Sequence, residues 1–289
     1  MRAAAIQTTA GTDREANLDA AGALVEDAVA AGAGLVVLPE YFSVAGTPEV
    51  LRAGAEALDG PTVTWASALA ARLGIHLVAG SFPEVPREVD GRLANTSCLL
   101  GPDGSLLAVY RKIHLFDVVL RGVDFRESDT FAPGRDVCVA PVGPAVDGRP
   151  GPVLGLSLCY DVRFPELYRM LALDGATVVA VPAAFTSVTG PVHWELLLRA
   201  RAVEDQVFVI GAGQVGRLPP GMPTCHGHSM IVDPWGVVLA ERTDPTPGFV
   251  VAELDLERLS DVRARLPVLA NRQPAAYRGL HVDDRGTEV

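Results

Sequence analysis

VLGLSLCYDVRFPELYRMLAL, residues 153–173, changes character partway along. Val153–Leu158 is an apolar run that reads as a strand. Cys159 sits at its end, and the residues from Asp161 onward place a turn there, followed by a helix over Pro165–Leu173. A strand that runs out into a turn and a helix is the repeating unit of α/β architecture. Working outward, strands are expected at Arg2–Thr8, Leu35–Leu38, Ile75–Ser81, Thr96–Leu100, Leu106–Tyr110, Val178–Val181, Val207–Gly211, Ser229–Val232, Val237–Leu239 and Phe249–Leu254. Helices are expected from Thr12 or Asp13 to about Ala31, over Val63–Leu73 and over Val192–Asp205. In the first of these, Leu18, Ala21, Val25, Ala28 and Val29 share one face. Hairpin-like pairs, such as the one around the GPDG turn at Gly101–Gly104, are interspersed with strand–helix units. The expected fold class is therefore α/β with a mixed sheet.

Composition narrows the possibilities. The 289 residues are 49% hydrophobic and 20% charged, too apolar and too weakly charged for a disordered chain. A net charge of −11 argues against a nucleic-acid partner, because phosphate-reading surfaces are usually basic. No stretch approaches the roughly 18 uninterrupted apolar residues of a membrane span, and the apolar run at the N-terminus is too short for a signal segment. A cytoplasmic location is expected. The four cysteines, Cys98, Cys138, Cys159 and Cys225, form no CxxC pair and are expected to be reduced. Of the 24 basic residues, 23 are arginines; Lys112 is the only lysine. One domain is expected over residues 1–275, with a polar C-terminal tail over 276–289. Pro141–Pro152 reads as a surface loop.

Three motifs look functional and are set aside on physical grounds. Gly211–Gly216 fits GxGxxG after a strand, but the RLPPGMPT that follows cannot supply the helix a dinucleotide site needs. Gly155–Cys159 resembles a serine nucleophile elbow without its last glycine, and Ser157 lies within the apolar run. Cys225-His226-Gly227-His228 lacks further ligands at workable spacing, and the other histidines show no pairing, so no metal is expected.

Three other segments share one design: an apolar strand that ends on a reactive side chain. LVVLPE ends on Glu40, LLAVYRK on Lys112 and VLGLSLC on Cys159. Strand ends in α/β sheets are rigid and project side chains into crevices. Together they supply a base, a cation and a nucleophile. A cysteine thiol, with a pKa of about 8.5, is mostly protonated at neutral pH and needs a base to take its proton. Attack on a carbonyl or nitrile carbon then builds negative charge on the departing π-electron pair. An ammonium and the backbone N–H of Tyr160 can receive that charge. No cofactor is required by this chemistry.

LVVLPEYF around Glu40, YRKIHLFD around Lys112 and LCYDVRFPEL around Cys159 resemble the nitrilase or carbon–nitrogen hydrolase superfamily. So do Ala184–Gly216, Gly227–Ala240 and Arg263–Tyr277. The resemblance implies a nitrilase-like αββα sandwich with two mixed β-sheets flanked by helices. It also implies that Cys159 is the nucleophile, Glu40 the general base and Lys112 the oxyanion stabiliser. It assigns Glu127, in FRESDTFAPG, to positioning or proton transfer. The chain is most similar to the branch of deaminated-glutathione amidase and ω-amidase. That likeness implies hydrolysis of a small linear amide, an ω-amide of an α-keto acid, through a thioester with release of ammonia. Arg163 would bind the substrate carboxylate, or else pair with Glu166 on its own helix turn; Phe185 and Thr189 would line the pocket. Val118–Asp124 is read as a loop atypical of the family, and Cys225-His226 departs from its usual aromatic–glycine pair. A homodimer or larger homo-oligomer is expected, with Val203–Ile210 and the C-terminal segment as interface elements. Other activities remain open at this point: α-ketoglutaramate, N-carbamoyl amino acid, aliphatic amide or nitrile hydrolysis, or an inactive binding protein on the same fold.

Overall fold

The computed structural model describes residues 1–86, 91–120, 123–144 and 151–277, so most of the expected tail lies outside the described residues. The first half of the chain forms β1 (Arg2–Gln7), α1 (Arg14–Ala30), β2 (Leu35–Val37), α2 (Pro48–Ala53), α3 (Pro61–Leu73), β3 (His76–Val78), β4 (Phe82–Glu84), β5 (Ala94–Leu100) and β6 (Leu106–Arg111). A hairpin of β7 (Asp117–Leu120) and β8 (Val123–Arg126) and then β9 (Val139–Pro141) follow. The second half forms β10 (Val153–Leu156), α4 (Pro165–Leu173), β11 (Val178–Ala183), α5 (Gly190–Asp205) and β12 (Phe208–Gly213). It continues with β13 (Val215–Arg217), β14 (Thr224–His226), β15 (Met230–Val232), β16 (Val238–Glu241), β17 (Gly248–Glu253) and α6 (Leu256–Arg265).

Two mixed sheets face each other. One runs β17-β1-β2-β3-β5-β4, with β6 paired to β5; the other runs β16-β15-β12-β11-β10-β9. Each has a parallel centre, β1-β2-β3 in one and β10-β11-β12 in the other, and antiparallel strands at its margins. The side-chain alternation of β1 and β2 builds both interfaces. Ala3, Ala5, Leu35 and Val37 pack inward against Leu154, Leu156 and Val178 of the second sheet. Ala4, Ile6, Val36 and Leu38 face outward onto Leu18, Ala21 and Val25 of α1 and Val63, Ala66 and Leu69 of α3. A strand covered on both faces is apolar at every position, which is why these read as continuous runs. On the other side α4 and α5 cover the second sheet with Leu167, Leu171, Trp194 and Leu198. The layers are helix, sheet, sheet, helix: an αββα sandwich.

Local signals account for the ends. Asp13 caps α1 through its carboxylate on the Ala16 N–H, and Gln206 in a left-handed conformation closes α5. Two sequence expectations are corrected. Val118–Asp124 is largely β-structure in the β7–β8 pair rather than a loop. Of the expected interface element Val203–Ile210, the part Val207–Ile210 is fully buried and presents no surface, while Val203 is exposed on α5.

Gly80 shows how closely the chain turns at the end of β2. It has φ +30, and a Cβ there would lie 1.9 Å from the Pro39 carbonyl oxygen. Gly80→Ala must displace that carbonyl or its own backbone. Chemical denaturation should show a loss of at least about 2 kcal/mol.

Candidate active site

Three strand exits are tied down by backbone bonds before their side chains matter. After β2 the Leu38 N–H still bonds the Val78 carbonyl, and Pro39 then turns the chain. Glu40 follows, its carbonyl accepting from Gln214 Nε2 at 3.0 Å. Tyr41, at φ +56, takes the Ser81 hydroxyl on its N–H. After β6, Lys112 donates its N–H to Asn95 and accepts from Gly134. A Cβ on Gly134 would fall 2.1 Å from the Arg111 carbonyl oxygen. After β10, Ser157 hydrogen-bonds the Ala180 carbonyl, and the buried Asp161 carboxylate accepts from the Leu158 N–H at 2.8 Å. Cys159 then sits at φ +43, a strained conformation for a residue with a side chain. Strain of this kind persists only where surrounding contacts hold it.

The side chains converge on one pocket, lined by Glu40, Lys112, Glu127, Cys159, Tyr160, Arg163, Phe185 and Thr189 among others. All eight residues singled out from the sequence meet there. Lys112 Nζ donates to Glu40 Oε1 at 2.9 Å and to Glu127 Oε2 at 2.9 Å, and its side chain is only 2% exposed. Glu40 Oε2 accepts from the Ala184 N–H at 2.8 Å, and Glu127 Oε2 from the Phe116 N–H at 2.7 Å. Asn95 Nδ2 reaches both carboxylates at 3.0 Å, and Tyr41 donates its hydroxyl to Glu127 at 2.9 Å.

Electrostatics follow from this packing. Burial pulls the Lys112 ammonium down, but Glu127 and Glu40 outweigh it and hold its pKa well above the ordinary value. Burial pushes the Glu127 carboxyl up; Lys112 and the hydrogen bonds reverse this and hold it below the usual range. The Cys159 thiol is pushed well up, by burial first and then by the negative charge of Glu40 beside it. Cys159 therefore rests as a thiol with a carboxylate beside it, so any attack by its sulfur requires that its proton be removed.

Arg163 does not pair with Glu166. Its guanidinium bonds His193 Nδ1 at 3.0 Å and Thr189 Oγ1 at 3.4 Å, and it lies 5.2 Å from the ring centroid of Phe185. Phe116, Phe125 and Met222 complete the apolar wall. The motifs set aside are structural here. Ser157 is buried and bonded to Tyr168. The residues after Gly213 form β13, not a helix. The Cys225 thiol donates to the Pro223 carbonyl, and His226 stacks on His228 at 4.3 Å. The sequence does not single out Asn95 or Tyr41, and it marks Asp161 only as the start of a turn. A detectable signal was Asn95, a polar residue inside the otherwise buried strand ANTSCLL.

Comparison with known proteins agrees over nearly the whole chain. The carbon-nitrogen hydrolase family model matches residues 2–264. A deaminated glutathione amidase from Synechocystis is 42% identical over 271 residues, 93% of this chain and 97% of the relative. An omega-amidase from Danio rerio is 38% identical over 277 residues, 96% of each chain. A solved amidase from Nesterenkonia sp. AN1 has a TM-score of 0.75 and 30% identity, covering 96% of this chain and 95% of that one. In that structure the acetamide moiety of fluoroacetamide is covalently added at the active-site cysteine.

Lys112→Met leaves two buried carboxylates facing each other without their cation. It should destabilise the protein by about 3–5 kcal/mol at neutral pH. The sign with pH is distinctive. The unpaired carboxyls would have raised pKa values, so the folded variant binds more protons than the unfolded chain and its stability falls as pH rises. In the native protein Glu127 has a lowered pKa, so its contribution is present above the unfolded value of 4.5 and lost on acidification. Denaturant unfolding at about pH 5 and about pH 8 should show a larger deficit for the variant at the higher pH.

Proposed function

The chain belongs to the carbon–nitrogen hydrolase family, and from that premise we propose that it is a cysteine-dependent amidase. The substrate is a small linear ω-amide of an α-keto acid, of the deaminated-glutathione type. The observation that carries this reading is the buried Lys112 ammonium held between Glu40 and Glu127 in the pocket that contains the Cys159 thiol.

In the first half-reaction Glu40 takes the Cys159 proton as sulfur bonds to the amide carbon. The C=O π pair moves onto oxygen, where the Lys112 ammonium and the Tyr160 N–H stabilise it. When that pair returns, the C–N bond breaks, and Glu40 passes its proton to the nitrogen, which leaves as ammonia. A thioester remains. Water then attacks the thioester carbon as Glu40 removes its proton. The C–S bond breaks, the proton returns to sulfur, and a carboxylic acid departs.

The resting site holds two carboxylates, one ammonium and a neutral thiol, a net charge of −1. Moving the proton from Cys159 to Glu40 leaves that total unchanged. This limits the electrostatic work of activating the nucleophile. Glu127 keeps Lys112 charged and oriented, and Arg163 binds the substrate carboxylate. No redox or metal step enters, since base, cation and nucleophile are all side chains.

A homo-oligomeric, cytoplasmic enzyme completes the reading. Val192 and Leu196 on α5, together with Trp235, are exposed large apolar side chains that suit self-association. Among the described residues no helix is long and apolar enough to cross a membrane.

Cys159→Ala should abolish ammonia release, by at least about 10⁴-fold, while unfolding as the parent does. Substrates to compare are deaminated glutathione, α-ketoglutaramate, N-carbamoyl amino acids, nitriles and simple amides. A substrate pulse should add an acyl mass to the parent and none to the variant. Ammonia release persisting in Cys159→Ala would contradict the mechanism.

A further inference from the structure

Arg163 is a cation in the pocket wall without a carboxylate partner among the described residues. Its shortest polar contact is with His193, which does not itself line the pocket. A guanidinium can only donate, so Nδ1 of His193 is the acceptor of this hydrogen bond. The second contact, to Thr189 Oγ1, is 3.4 Å and weaker. The rings of Tyr160 and Phe185, at 5.8 and 5.2 Å from the guanidinium carbon, fix its position but not its rotation in plane. Nη1 and Nη2 are each engaged once, which leaves further N–H donors for a ligand.

The first turn of α5 carries both polar partners, and its placement is itself constrained. Gly190 packs on the imidazole of His226; a Cβ at Gly190 would lie 2.3 Å from His226 Cγ. His226 stacks on His228, whose Nδ1 lies 2.6 Å from Glu241 Oε1. His226, which with Cys225 departs from the expected aromatic–glycine pair, therefore buttresses the turn that presents Thr189 and His193, with His228 stacked on it.

We propose that His193 is a positioning residue that fixes the orientation of Arg163 and thereby sets the preference for amides bearing a carboxylate. The inference rests on the amidase reading and adds a residue that acts only through Arg163. His193 touches no reacting atom. Its removal should weaken binding of a carboxylated substrate and leave turnover of bound substrate intact.

The test uses the full-length enzyme and two amides, α-ketoglutaramate and a neutral aliphatic amide of similar length. His193→Ala should raise KM for α-ketoglutaramate on the order of tenfold, with kcat within about twofold. kcat/KM for the neutral amide should stay unchanged. His193→Asn puts an acceptor oxygen where Nδ1 was and should restore most of the loss. A matched drop on both amides, a fall in kcat alone, or no rescue by Asn would overturn the positioning role. If the parent enzyme prefers α-ketoglutaramate and His193→Ala keeps that preference, this inference alone fails. If the parent releases ammonia from neither amide nor from deaminated glutathione, the amidase reading fails and takes the inference with it.

Discussion

A single ammonium buried between two carboxylates is the interaction on which the rest of the site depends. Lys112 would not be tolerated at 2% exposure without Glu40 and Glu127, because moving a lone charge out of water costs several kcal/mol. The carboxylates in turn need more than the lysine. Backbone N–H groups of Ala184 and Phe116, the Asn95 amide and the Tyr41 hydroxyl supply the remaining donors. These partners come from the ends of β2 and β11, from within β5 and from the residue before β7, so both sheets contribute. Any slippage between the sheets would leave a charge unpaired, so the electrostatics of the site and the registry of the sandwich constrain each other.

Backbone geometry completes that constraint. Two of the non-glycine residues with positive φ, Tyr41 and Cys159, adjoin or form the site. Two glycines, Gly80 and Gly134, sit where a Cβ would strike the carbonyl before Glu40 or before Lys112. The sharp turns aim the three reactive side chains out of rigid strands into one crevice, in line with the general advantage of sites carried on strands. The buried Asp161 carboxylate adds a strut. It accepts from Tyr110, from the Leu158 N–H and from the His114 backbone and ring, linking the exit that carries Cys159 to the one that carries Lys112.

Much of this is legible in one dimension, for identifiable reasons. Leu35–Val37, Leu154–Leu156 and Val178–Ala183 are buried on both faces, so apolar runs mark them clearly. The reactive residues are legible because each follows such a run directly. The short elements α2, β4, β9, β13 and β14 are not, since three to six residues carry too little periodicity to be recognised. α6, with a strongly charged exposed face, was also missed. Asn95, Tyr41 and Asp161 escape because their importance comes from partners distant in sequence. Most of the loop expected at Val118–Asp124 is strand because β7 and β8 pair with each other outside the two main sheets; residues 121–122 lie outside the described residues.

The central claim is that Lys112 is an ammonium clamped by Glu40 and Glu127, which hold its pKa above the ordinary value. Because it is the only lysine in 289 residues, lysine-selective isotope labelling gives one side-chain resonance, with no assignment problem. Nuclear magnetic resonance of that Nζ across an alkaline titration is the direct measurement. The account predicts a single, slowly exchanging ammonium signal that persists above the ordinary lysine value of 10.5. A lysine that titrates at or below that value, or one whose signal exchanges as freely as an exposed amine, would contradict it.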